Sequence, residues 1–229
     1  MMPLVTTPRM AVSTALATCE SPINVYGVNI EVMVTVSTLR QPVRSYHHGD
    51  LRAALVAAGL KALETTAIGD LSLRQLAREV GVSATAVYRH FPDKQALMQA
   101  LASEGIEQLG RYQQAAAAAA GSNADAFGAT GRAYVRFALA NPALFRLIFG
   151  ECRDVGQSIF GDNLAASLLR DKALKATGGD EAVTRRLMIQ AWAVVHGLAM
   201  LMLDGQLPAD EDLIDRVIDP KTLFPATTD

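Results

Sequence analysis

Apolar positions set the plan of this chain before any chemistry does. From Asp50 onward they recur every three or four residues. Leu51, Leu55, Ala58, Leu60 and Leu63 form a first stripe, the spacing of a helix with one face toward a core. "TTAIGD" (65–70) breaks it at Gly69, and Ser72 is placed to cap a second helix, "LRQLAREV". Gly81 ends that helix, since glycine enters the left-handed region without penalty. Ser83 caps a third helix reaching about His90, where Pro92 stops it. Asp93 caps a fourth, beginning "KQALMQALASEGIEQL", and the alanine run 115–120 prolongs it.

"AGSN" (120–123) marks the next break. The pattern then predicts helices over 124–140, ended by "NP", and over 142–149. Others follow over 157–176, ended by "TGG", over 180–203 with Asp180 as cap, and over 210–218. No internal repeat is present. The fold class is therefore all-α, with a three-helix unit over 44–98 and a larger helical bundle over 99–222.

Residues 1–43 read differently. "NVYGVNIEVMVTVS" (24–37) alternates and is β-branched, the pattern of a strand or short hairpin. It has no obvious strands to join in a helical chain. A poorly ordered extension is expected there, with Met33 a candidate true start; an intact mass of the native protein beginning at Met1 would refute that start.

Composition narrows the classes. A chain of 229 residues, half of them apolar, can bury a real core. Cys19 and Cys152 lie far apart without CxxC or Cys/His spacing, so neither a disulfide framework nor a zinc site is indicated, and a reducing cytoplasm is the default. No uninterrupted apolar run reaches the ~18 residues of a membrane span. No charged-then-apolar leader with a clear cleavage site is evident. There is no HExxH, paired Glu-x-x-His, GxSxG or phosphate-binding glycine loop, so no catalytic residues, metal or cofactor are expected. The adjacent His47 and His48 lack further ligands, and "DEDLID" (210–215) reads as a solvated helix face.

The net charge of −2 argues weakly against nucleic acid, but its distribution matters more. Arg44–Met98 holds seven Lys/Arg against five Asp/Glu; Gln99 to the end holds twelve against sixteen. The basic stretch includes "GVSATAVYRHF" (81–91), a tight turn leading into small polar and then planar and basic residues. With its predecessor this is the pattern of a helix-turn-helix. Ser83, Ala84, Thr85 and Ala86 are short enough to approach base edges in a major groove. Tyr88 and His90 suit phosphate or sugar contacts, and Arg89 supplies charge, though a lone arginine is also simply solvated. Val82, Val87 and Phe91 read as core with Leu76, Ala77 and Val80. Lys94 in a first helical turn opposes the helix dipole unless an anion such as a phosphate sits there. Ser72 and Leu73 offer a similar backbone anchor, and Arg44, Tyr46, His47 and His48 form an arm ahead of the first helix.

"YHHGDLRAALVAAGLKALE" and "LSLRQLAREVGVSATAVYRHFPDKQALM" together resemble the TetR family of bacterial transcription regulators. The likeness is close over residues 46 to about 105. It implies a three-helix DNA-binding domain and a helical domain that dimerises and holds a small effector. By position it carries DNA contacts onto Ser83, Ala84, Thr85, Ala86, Tyr88, Arg89, His90 and Lys94. "YVRFALANPALFRLIFG" (134–150) and "AWAVVHGLAMLMLDG" (191–205) resemble the branch with a Trp, His, Gly motif, here Trp192, His196 and Gly197. Trp192 and His196 share a helix face. Packing is preferred over ligand contact for that motif, with close helix approach the reason for Gly197. Candidate effector contacts are Phe137, Phe145, Phe149, Trp192 and His196. The expected function is a cytoplasmic, homodimeric, ligand-responsive repressor; the alternative is a helical interaction protein that kept the fold without operator binding.

Overall fold

The computed structural model describes residues 23–25, 28–30, 51–151 and 160–219. The chain divides into two units, Met1–Pro42 and Val43–Asp229. In the first, β1 (Ile23–Val25) pairs antiparallel with β2 (Val28–Ile30), Ile23 opposite Ile30, so the alternation does produce a hairpin. The rest of the extension expected over 1–43 lies outside the described residues, as do Arg44, Tyr46, His47, His48 and both cysteines.

From residue 51 all described regular structure is helical. The three-helix unit comprises α1 (Leu51–Leu63), a 3-10 turn (Ile68–Asp70), α2 (Leu73–Val80) and α3 (Ala84–His90). The long α4 (Lys94–Ala118) follows, then α5 (Asn123–Ala140) and α6 (Pro142–Arg146), which continues as a π-helical turn (Leu147–Glu151). Next come α7 (Leu164–Ala176), α8 (Glu181–Leu203) and α9 (Glu211–Val217).

Side-chain caps explain most of these starts. Asp93 Oδ1 accepts from the Ala96 N–H at 2.7 Å, Asn163 Oδ1 from Ala166 at 2.9 Å and Asp180 Oδ1 from Val183 at 2.9 Å. Asn163 also explains why the helix expected over 157–176 starts late: the described residues before its cap, 160–162, are turn and bend. Ser72 occupies the cap position of α2, but its side chain makes no cap bond.

One large apolar cluster runs from Leu51, Leu55 and Leu76 of the three-helix unit through Leu101 and Leu109 of α4 to Phe145, Leu198 and Ile214, and a small one joins Ala173 to Leu187 and Met188. Within the bundle, α5 packs on α4 and α8, and α7 packs on α4 and α8. Arg136 ties α9 to α5 through Glu211 (2.7 Å) and Asp215 (3.1 Å). By length and composition α8 alone among the described helices could cross a membrane. A count of unbroken apolar runs passes over it, because Thr184, Gln190 and His196 interrupt the run. Its Leu187, Met188, Val195, Leu198 and Met202 are buried against the other helices, as in a core helix.

The helices approach closely at glycines. A Cβ on Gly110 of α4 would lie 2.7 Å from Leu164 Cβ and 2.9 Å from the Ala165 backbone nitrogen, neither of which can swing aside. Alanine there gains about 1 kcal/mol of helix propensity, yet overpacking costs about 1–3 kcal/mol. Gly110→Ala is therefore expected to lower the midpoint of urea unfolding. An unchanged or raised midpoint would contradict the α4–α7 contact.

Candidate functional site

The turn between α2 and α3 is built by the backbone. Gly81, at φ 77°, donates to the Arg78 carbonyl at 3.2 Å, and Val82 donates to the Ala77 carbonyl at 2.9 Å. This pair of bonds closes a Schellman motif and turns the chain sharply. Ser83 then opens α3 by accepting from the Ala86 N–H at 3.2 Å. Val87 is fully buried, beside the buried Leu76, Ala77 and Phe91, so the rotation of α3 about its axis is set by packing.

That rotation decides what is left outward. Ser83, Thr85, Tyr88 (44% exposed) and Arg89 are exposed. Thr85, Tyr88 and Arg89 fall at i, i+3 and i+4 and share one face. Ala84 and His90 are half-buried, and Ala86 packs against the core. Exposed Ser72 flanks this surface at the start of α2. The Lys94 ammonium donates to the Gly69 carbonyl at 2.6 Å, holding the 3-10 turn to the start of α4. An ammonium has three donors, so this bond leaves capacity for a phosphate. The Arg52 guanidinium lies 5.3 Å from the Phe91 ring centroid, a contact that joins α1 to the end of α3.

A second constellation lies in the bundle. Phe145, Phe149, Trp192 and His196 come together around Tyr134, which sequence reasoning did not single out. The ring centroids of Phe145 and Phe149 are 4.8 Å apart, and those of Trp192 and His196 are stacked at 5.0 Å. Phe137 lies elsewhere, beside Tyr112 with centroids 6.3 Å apart. Trp192 Nε1–H donates to the Tyr134 hydroxyl oxygen at 3.2 Å, and that hydroxyl lies 2.9 Å from His196 Nδ1. Burial pushes the Tyr134 hydroxyl well above its usual pKa, so it keeps its proton. Burial also pulls the His196 imidazole below its usual value. Trp192 can only donate, so the Tyr134 oxygen accepts from it, and the same hydroxyl shares a further hydrogen bond with Nδ1 whose direction follows the His196 tautomer. Phe149 and Glu151 belong to the π-helical turn, a local widening common where helices carry functional residues.

The direction of the His196 shift has a consequence. The unfolded chain takes up a proton near pH 6.5, whereas the folded imidazole does so only at lower pH. This contribution to stability is complete above about pH 6.5 and declines as pH falls toward the folded value. Urea titrations across that range should show the decline, and His196→Gln should flatten it. A wild-type profile that the substitution leaves unchanged would remove His196 as its source.

Among the described residues Gly197 meets nothing within 4 Å of where a Cβ would stand, so the close approach expected for it is not made by them.

Two family models match along the chain. One, described as bacterial regulatory proteins of the TetR family, covers residues 55–101; the other, a tetracyclin repressor-like C-terminal domain, covers 127–220. A solved structure from Rhodococcus sp. RHA1, described as a protein of unknown function, is 32% identical over 79% of this chain and 96% of its own, with a TM-score of 0.62. This chain belongs to the TetR family. Its reading unit and bundle are thus those of a TetR-type transcription regulator. The same fold recurs in a TetR-family regulator from Pectobacterium atrosepticum (19% identical, 77% of this chain and 92% of that one, TM-score 0.56). It recurs too in RolR, solved in complex with resorcinol (19% identical, 77% and 86%, TM-score 0.55). No protein of curated function matches.

Proposed function

We propose that this TetR-family protein is a cytoplasmic, homodimeric repressor that binds operator DNA through α3 and releases it when a small effector binds the bundle. The observation that carries this reading is the outward face of Thr85, Tyr88 and Arg89 on a helix locked by Val87. Thr85, with Ser83 and Ala84 beside it, faces base edges; Tyr88, Arg89, His90, Lys94 and Ser72 take sugar and phosphate, with Ala86 supporting from the packed side. Arg44 and Tyr46 are assigned to the arm.

The dimer face is proposed on α8. Ile189 (46% exposed), Ala193, Gly197 and Leu201 (45% exposed) recur every four residues along its outer side, and the open space at Gly197 lets a second helix come close. Two copies must place their α3 helices about 34–36 Å apart to read successive turns of one duplex face. The effector is assigned to Phe145, Phe149, Trp192 and His196, and not to Phe137, which lies beside Tyr112. It acts only to the extent that it prefers the spacing incompatible with DNA.

Footprinting on the gene's own upstream region at two salt concentrations tests this. A discrete site of two half-sites one helical turn apart, weakening steeply with salt, is the expected result. Weak binding without a preferred site would favour the interaction-protein reading. In that case Tyr88→Ala and Lys94→Ala would leave affinity unchanged.

A further inference from the structure

A groove of about 390 Å³ opens where α1 meets α4 and the α5–α6 corner, remote in sequence from the aromatic cluster's Trp192 and His196. The same helices make two close contacts. A Cβ on Gly59 of α1 would lie 2.8 Å from the Leu101 side chain of α4, and one on Gly105 of α4 would lie 2.7 Å from Leu144 of α6. So α1 and α6 each press onto α4 at a glycine, and the groove is lined by residues of α1, Gln108 of α4 and the α5–α6 corner.

Its lining has a definite chemistry. Ala57, Leu60, Lys61 and Glu64 follow at i, i+3, i+4 and i+7, one face of α1. Leu60 and Leu63 with Leu144 and Pro142 opposite give an apolar floor. Lys61 and Glu64 also line the groove, both exposed and neither ion-paired among the described residues. Asn141 donates its amide N–H to the Phe137 carbonyl at 3.1 Å, and its side-chain oxygen remains an acceptor.

We infer that this groove binds an amino acid with a branched or aromatic apolar side chain. Opposite charges one helical turn apart beside an apolar floor complement a molecule with a carboxylate, an ammonium and an apolar body. The volume is near the lower end of the ~300–1,000 Å³ typical of small-molecule sites. The bound molecule would bridge α1, on which α2 and α3 pack, to α6. Its effect on DNA affinity rests on the proposed operator-binding role; its binding does not.

The test is calorimetric titration of the full chain with L-leucine and L-phenylalanine, beside isocaproate and isoamylamine, which keep the leucine-like body but lose one charge. Saturable binding of the amino acids is expected, with each single-charge analogue at least about tenfold weaker. Lys61→Met and Glu64→Gln, both at exposed positions, should weaken amino-acid binding by a similar factor. Ala57→Trp should fill the groove and abolish binding while thermal unfolding stays where it is. No saturable binding at millimolar amino acid, equal binding of an analogue, or undiminished binding to Ala57→Trp would each overturn the inference. Footprinting reports separately on operator binding, so failure of one reading is not mistaken for failure of the other.

Discussion

Replacing Phe145 by alanine is expected to cost the fold about 3–5 kcal/mol, the largest stability loss among the aromatic-cluster substitutions considered. Phe145 is completely buried, and its ring meets Tyr134 edge-on at 5.5 Å, Phe149 at 4.8 Å and His196 at 5.6 Å. Truncation removes the transfer term and also leaves a void whose walls are rings that cannot collapse inward. Against a total of about 5–15 kcal/mol for a typical domain, that is a large fraction. Urea unfolding followed by the fluorescence of Trp192, the one tryptophan in the chain, measures it. Phe149, only half-buried, should lose less when treated the same way. A Phe145→Ala loss below about 1 kcal/mol would mean that the cluster is not packed as described.

The second large effect concerns DNA. Exchanging Tyr88 and Arg89 together for alanine should weaken operator binding by on the order of 3–6 kcal/mol, taking ~1.5–3 kcal/mol for each hydrogen bond to a charged phosphate. Both side chains are exposed, so the unfolding midpoint should stay within about 0.5 kcal/mol of wild type. Val87→Ala provides the contrast. It touches no DNA in this reading, but it loosens the packing that fixes α3 and should lower stability first. Gel-shift titrations with parallel unfolding curves separate the two. If the double variant bound its operator as tightly as wild type, α3 would not be the reading element.

What could be read in advance follows the range of the interactions. Caps act over three residues, so Ser83, Asp93 and Asp180 announce their helices correctly. The apolar period of α1 through α4 and the glycine after α2 are likewise local signals. Asn163 was legible by the same rule, and its position would have corrected the start of α7. The π-helical turn was not legible, because nothing in "LIFGE" distinguishes a wider turn from an ordinary one. Tyr134 was hidden for another reason. Its importance comes from partners 58 and 62 residues away, Trp192 and His196, and no spacing rule reaches that far. Lys94 shows the same limit: its bond to the Gly69 carbonyl spans 25 residues. The groove beneath α1 depends on how three helices diverge, which periodicity does not encode.

The unbroken apolar cluster from Leu51 to Ile218 has a practical meaning for anyone who wishes to borrow the reading head. A fragment stopped at Met98, inside α4, would leave Leu55 and Gly59 without the Leu101 side that closes over them. Such a piece should be molten or aggregate, and a hybrid regulator made by exchanging bundles needs its seam beyond Ala118, with α4 kept whole. The same continuity means that heat should melt the chain from residue 51 onward in one step, so thermal damage to the bundle unfolds the three-helix unit at the same temperature.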